Sequence, residues 1–353
     1  MEEKIRTFNI KFEVLRFNKN VIPYSFLWLS SFILNLGGKL LLLLSLTSLM
    51  TSTKSIKVRK TTLTILILLI LFNFFHLLLF QRLDIAYFDL SLYFILIPGI
   101  LFVSTSNTKN KTLLHQFLQT LFNLIVGFSI VRMLTIGLDF NQKNFFFLNK
   151  NTVSMIFELI ALTLMVIKPQ NAKKIYFISA FTSLIIGGKT TFVILITFGL
   201  IIIMKEKFAK KLLFACILIG SIILFLVYNL LPSELIHTLD QRFVLWEQAV
   251  SEIRSGNIFF GLGIDNFESQ IKDMGLYGKT AIHNYYLQFA HAFGLIGLMI
   301  FLLMLTNSIS FLKHFKAKMV LISFSLHSLV DVGWVLGPGT VFAICYAILK
   351  SNE

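Results

Sequence analysis

Long apolar runs separated by short polar connections set the pattern of this chain. The clearest lie at 61–80, 112–131, 212–231 and 285–305, each near the roughly 20 residues that a helix needs to cross a hydrocarbon core about 30 Å thick. The runs are continuous and do not alternate in segments of about ten residues, so the pattern predicts membrane helices and not a barrel. Shorter apolar segments fill the intervals. The predicted spans are 21–36, 38–53, 61–80, 85–103, 112–135, 151–168, 173–188, 190–204, 212–231, 284–306, 319–335 and 338–350. The expectation is therefore an all-α polytopic membrane protein of about 12 helices, or 10–12 if the tightest turns do not cross. Those turns fall in 21–53 and 173–204, where Gly37-Gly38-Lys39 and Gly187-Gly188-Lys189 each form the tip of a hairpin of short helices.

Composition supports this reading: 56% of residues are hydrophobic, which excludes a domain with a water-facing surface. The net charge of +15 raises the question of nucleic acid as a partner. The basic residues, however, are dispersed through the connections: Lys4 to Lys19, Lys54 to Lys60, Lys109 and Lys111, Lys168 to Lys174, Lys205 to Lys211, Lys313 to Lys318, and Lys350. By the positive-inside rule these loops and both termini are cytoplasmic, and no nucleic acid is implied. Cys216 and Cys345 lie apart inside apolar runs, so neither a disulfide framework nor a metal site is expected.

Four regions follow: a basic tail at 1–20, an N-terminal membrane bundle at 21–231, a large extracytoplasmic loop at 232–282, and C-terminal spans at 283–353. A connection as long as 232–282 is functional or disordered. Here Leu239, Phe243, Trp246, Val250 and Ile253 recur at helical spacing until Ser255-Gly256-Asn257, which predicts an amphipathic helix across the outer face. A glycine turn at Gly261-Leu262-Gly263 and a second short helix near 266–274 follow. The amphipathic helix is either an interfacial element resting on lipid or a lid over a cavity. Arg242 and Arg254 lie outside against the charge bias and suit an anion.

His283 and Asn284 stand at the mouth of the apolar run 285–305. In the first helical turn after Thr280, the helix N-terminus disfavours imidazolium and keeps His283 a proton acceptor. The alternative is a histidine that anchors the helix at headgroup level. Asn284 is equally suited to capping the helix. Gly187-Gly188-Lys189-Thr190-Thr191 resembles a nucleotide loop only superficially, because Ser183 stands where that loop needs glycine. His327 and Asp331, four apart inside a predicted span, form either a proton relay or a packing contact, and Glu158 faces the bundle interior.

Taken in order, Arg242 with Trp246, the run GLGIDNF at 261–267, His283-Asn284 with Leu287, and GLIGL at 294–298 resemble the outer-loop block of the O-antigen ligase and polymerase family. Asn151, and Lys189 before Thr190-Thr191, sit where that family carries an asparagine and an arginine-containing motif. Lys189 departs from the family pattern by replacing a planar guanidinium with a point charge. The resemblance implies an integral membrane glycosyltransferase of a bacterial cytoplasmic membrane, acting on its outer face. Its donor would be a polyprenyl-diphosphate-linked saccharide and its acceptor a second saccharide, with membrane lipid, a flippase and a chain-length regulator as partners and no cofactor. In that chemistry a sugar hydroxyl attacks the anomeric carbon and the lipid diphosphate leaves. It implies His283 as base and Arg242, Lys189, Arg132 and Arg254 as diphosphate ligands. Asn284 would orient a hydroxyl, and Gly261 and Gly263 would shape a backbone turn near the anion. Polymerase is the preferred reading; a ligase onto a lipid or protein acceptor, and a flippase, are the alternatives.

Overall fold

The computed structural model describes residues 111–137, 144–145, 148–209, 211–212, 233–263, 282–330 and 338–352, with helical positions scattered between 64 and 79. The expected spans at 21–36, 38–53 and 85–103, nearly all of 212–231, the second loop helix near 266–274, and Asp331 lie outside the described residues. The described chain is helical: α1 (Lys111–Ile136), α2 (Lys150–Ile167), α3 (Ala172–Ile186), α4 (Lys189–Ile203), α5 (Ser233–Ser255), α6 (Tyr285–Phe311), α7 (Phe315–His327) and α8 (Pro338–Ser351). Its one departure is a two-residue antiparallel pairing between α1 and α2, β1 (Asn144–Phe145) with β2 (Leu148–Asn149), in which Asn144 faces Asn149.

Among the described residues, three helices are long and apolar enough to cross a membrane: α1 over Leu118–Thr135, α2 and α6. Every residue of α2 from Val153 to Met165 is buried, as expected of a helix that is apolar all round and must be enclosed by its neighbours. It packs against α1, α3, α4, α7 and α8, with Phe157 stacked on Phe122 at 5.4 Å. Outer helices instead expose apolar stripes at helical spacing, Leu124, Phe128, Val131 and Leu134 on α1 and Leu295, Met299 and Leu302 on α6. Stripes of this extent fit contact with lipid better than contact with water.

The two ends of the bundle differ. At one end Lys168 Nζ donates to Gln119 Oε1 (2.9 Å), Lys350 Nζ donates to the Phe311 carbonyl (2.7 Å), and Asn352 meets His115 (3.1 Å). These contacts gather the basic connections together. The opposite end holds the turn between α3 and α4. There Gly187 takes a left-handed φ of 82° and its N–H closes α3 onto Ser183 and Leu184. Gly188 lies so close to α2 that a Cβ would fall 2.6 Å from Ser154 Cβ. The expected helical hairpin is thus present, and its helices have 15 residues each, about 22 Å in length.

α6 has 27 residues, about 40 Å against the roughly 30 Å that a span requires. It is not continuous. Gly294 has φ 69° and ψ −175°, which breaks the helix inside the run predicted as one span. α7 ends at His327, well short of the expected 335, because residues 328–330 wind into a turn.

Candidate functional site

The broken helix and the loop that follows α5 are built into each other. At the break, the N–H groups of Leu295 and Ile296 donate to the carbonyls of Ile258 (3.0 Å) and Phe259 (3.2 Å), while Leu262 and Gly263 donate to the carbonyls of His291 (2.8 Å) and Ala292 (3.1 Å). Loop backbone therefore satisfies helix backbone that would otherwise be orphaned in an apolar layer. The seat needs glycine on both sides. Gly261 (φ 76°) has no room for a Cβ, which would lie 2.5 Å from the Ala292 carbonyl oxygen, and a Cβ on Gly294 would lie 2.2 Å from that of Phe259. Gly263, at φ 89°, completes the turn. Gly261 and Gly263 thus serve backbone geometry.

α5 runs beside the first half of α6. Trp246 Nε1 donates to the Ile282 carbonyl (2.8 Å), and two turns further along Glu252 Oε2 lies 2.7 Å from His291 Nε2. Gln248 Nε2 donates to the other carboxylate oxygen at 2.5 Å. The buried face is also rotated from the predicted stripe. Leu245, Ala249, Glu252 and Ile253 are buried, whereas Phe243 is 48% exposed. Small Ala249 permits close approach, and the Glu252–His291 pair draws a charged residue inward. That pair went unread because its members are distant in sequence; the available signal was an ionisable group in each of two apolar faces, each needing a partner.

His283 precedes α6 and lies outside its first turn. Tyr285 is the first helical residue, and Asn284 is the cap, with its side chain accepting from Leu287 N–H at 3.1 Å. His283 instead occupies left-handed backbone, φ 53°, which no other non-glycine residue among those described does. Its neighbours fix it there. Ile282 receives the Trp246 indole, Asn284 caps the helix, and Tyr285 N–H donates to the Ser328 carbonyl (2.9 Å).

Arg242 donates to the Val330 carbonyl at 2.7 Å, just past the end of α7, and is half-buried. A cation is favoured at that helix end. Arg132, 3% exposed, points Nη1 at the carbonyls of Ile185 and Ile186, both at 3.5 Å. Its position beneath the end of α3 accounts for a charge that deep in the bundle. Lys189 opens α4 and is exposed. Arg254 is exposed in the last turn of α5, about 18 Å along the helix from Arg242. Arg132 and Lys189 therefore meet around the α3–α4 tip, Arg242, His283 and Asn284 meet around the start of α6, and Arg254 stands apart.

His327 pairs with Glu158, while Asp331, the partner expected from spacing, lies outside the described residues. The helix ends at His327, and its Nδ1 lies 2.6 Å from Glu158 Oε2 on α2, with both residues buried. Glu158 is one turn from Ser154, which faces Gly188, so the pair stands between the two groups of site residues. Among the described residues no cluster of histidine, cysteine, aspartate or glutamate is suited to a metal ion. No protein-family model matches this chain, and no curated protein matches it.

Proposed function

We propose that this chain is a membrane glycosyltransferase that polymerises polyprenyl-diphosphate-linked oligosaccharide repeat units for a capsule, exopolysaccharide or O-antigen. In this reading the basic end of the bundle is cytoplasmic, and the end bearing His283 faces outward from a bacterial cytoplasmic membrane. The observation that carries it is the convergence of Arg242, Trp246 and His283, 41 positions apart at their extremes, on the start of one helix, with His283 held in left-handed backbone. Backbone strain of this kind concentrates where a side chain is held for a task.

His283 accepts the proton of an acceptor sugar hydroxyl as that oxygen bonds to the anomeric carbon of the donor. The bond from that carbon to the lipid diphosphate breaks, and the diphosphate leaves with its electron pair. Arg242 has five N–H donors, of which the Val330 carbonyl takes one, so it can hold the substrate anion while anchored. Lys189 adds charge from the α3–α4 tip, and Arg132 supports that tip from below.

The test is incubation of the purified full chain in detergent with a lipid-diphosphate repeat unit, alongside His283→Ala. Wild type is expected to form new glycosidic bonds without a sealed vesicle, and the variant to leave single repeat units on the carrier. Wild-type chain lengths from the variant, or movement of the lipid across vesicles with no bond formed, overturn the proposal.

A further inference from the structure

Glu158 and His327 are fully buried groups on helices far apart in sequence, joined at 2.6 Å. A buried carboxylate–imidazole pair is a poor source of stability, because desolvation offsets most of its attraction and an apolar pair of similar volume packs as well. What the pair does fix is position. His327 is the last residue of α7, and the turn after it is closed by Leu329 N–H on Leu326 and Val330 N–H on His327. Three contacts from the outer site land on this short stretch. Tyr286 hydroxyl donates to the Ser325 carbonyl (3.0 Å), Tyr285 N–H to that of Ser328 (2.9 Å), and Arg242 to that of Val330 (2.7 Å).

We propose that Glu158 is a positioning residue: through His327 it holds the turn at 328–330, on which both Arg242 and the start of α6 are hung. Glu158 touches no substrate. The depth and rotation of His327 set where the Ser328 and Val330 carbonyls stand, and hence where α6 begins and where the Arg242 guanidinium is presented. The inference rests on the proposed function only for its activity readout.

The test uses the purified full chain and the double variant Glu158→Met with His327→Leu, which removes the pair and keeps the volume. It is expected to unfold at or above the wild-type temperature, while the Tyr285 and Val330 amides exchange about tenfold faster through local opening. Its kcat for elongation should fall at least as far, with thermal stability retained. Glu158→Gln is the milder variant; replacing a charge-assisted bond with a neutral one should speed the same amides about threefold. Wild-type exchange at both amides in whichever variant folds overturns the inference. Faster exchange together with a wild type that forms no glycosidic bond supports the positioning role and removes the polymerase reading.

Discussion

Position 283 separates catalysis from anchoring, because its backbone and its side chain make different demands. At φ 53° any residue with a Cβ is strained, by roughly 1–2 kcal/mol in left-handed backbone. Alanine keeps that strain, whereas glycine relieves it and adds about 0.5–1 kcal/mol of unfolded-state entropy. His283→Gly should therefore exceed His283→Ala in stability by roughly 0.5–1 kcal/mol. In a chain of this size that is a difference of about 1–2 °C in unfolding temperature. Both lose the side chain that the proposed function makes the proton acceptor, a role worth about 100-fold to 10,000-fold in rate in general base catalysis. His283→Asn, a residue that tolerates left-handed backbone, should be stable and inactive. Thermal unfolding and single-turnover elongation on the same preparations read both effects. Elongation within about tenfold of wild type in the glycine variant would reduce His283 to an anchor, since a missing base costs more than that. Equal stability of the alanine and glycine variants would show that the backbone is not strained there.

Asn284→Ala should lose about 1 kcal/mol of stability, because the Leu287 N–H loses its acceptor. Asn284→Ser keeps the cap, so elongation retained in that variant assigns the residue to the helix, and elongation lost at unchanged stability assigns it to substrate. Gly294→Ala should fail to seat the loop and should open 256–263 to protease, while Gly127→Ala, with no atom of the described residues within 4 Å of an added Cβ, should gain up to about 1 kcal/mol. A protease-resistant Gly294→Ala would refute the backbone seat. Glu252→Leu removes the carboxylate partner of the His291 ring and should cost roughly 1–3 kcal/mol, most of it recovered in Glu252→Leu with His291→Leu. A neutral single variant, read by thermal unfolding, would show that the pair carries no such burden.

Much of the helical frame was legible because apolar runs and glycine turns are local signals. The span expected at 151–168 coincides with α2 at Lys150–Ile167, a helix forms at Lys189–Ile203 where 190–204 was expected, and the loop helix stops at Ser255 as its pattern required. The left-handed turn at Gly261 and Gly263 was legible for the same reason. The break at Gly294 was not, since Phe293 and Leu295 flank it within an unbroken apolar run and only a loop some thirty residues upstream in sequence makes it tenable. The spacing of His327 and Asp331 presumes a helix that runs on to 335; α7 ends at His327, and among the described residues its carboxylate partner is Glu158 of α2, which is too distant in sequence for spacing to reveal. The orientation of α5 was misread because apolar residues lie on two of its sides, and pairing of Glu252 with His291 chose between them. Nothing local marked His283 for left-handed backbone, which its neighbours on three elements impose.

The shortness of the α3–α4 hairpin bears on the bilayer as well as on the protein. Helices of about 22 Å, and α7 at about 20 Å, fall short of the roughly 30 Å hydrocarbon thickness, and Phe177, Phe181 and Val193 on the hairpin are exposed. Lipid meeting a short apolar belt thins or tilts to match it, at a fraction of a kcal/mol per ångström. Under the proposed function, this flank would draw the headgroup layer down toward the Gly187–Gly188 tip, where a phosphate-bearing donor lipid arriving from the side would meet Lys189 without leaving the membrane.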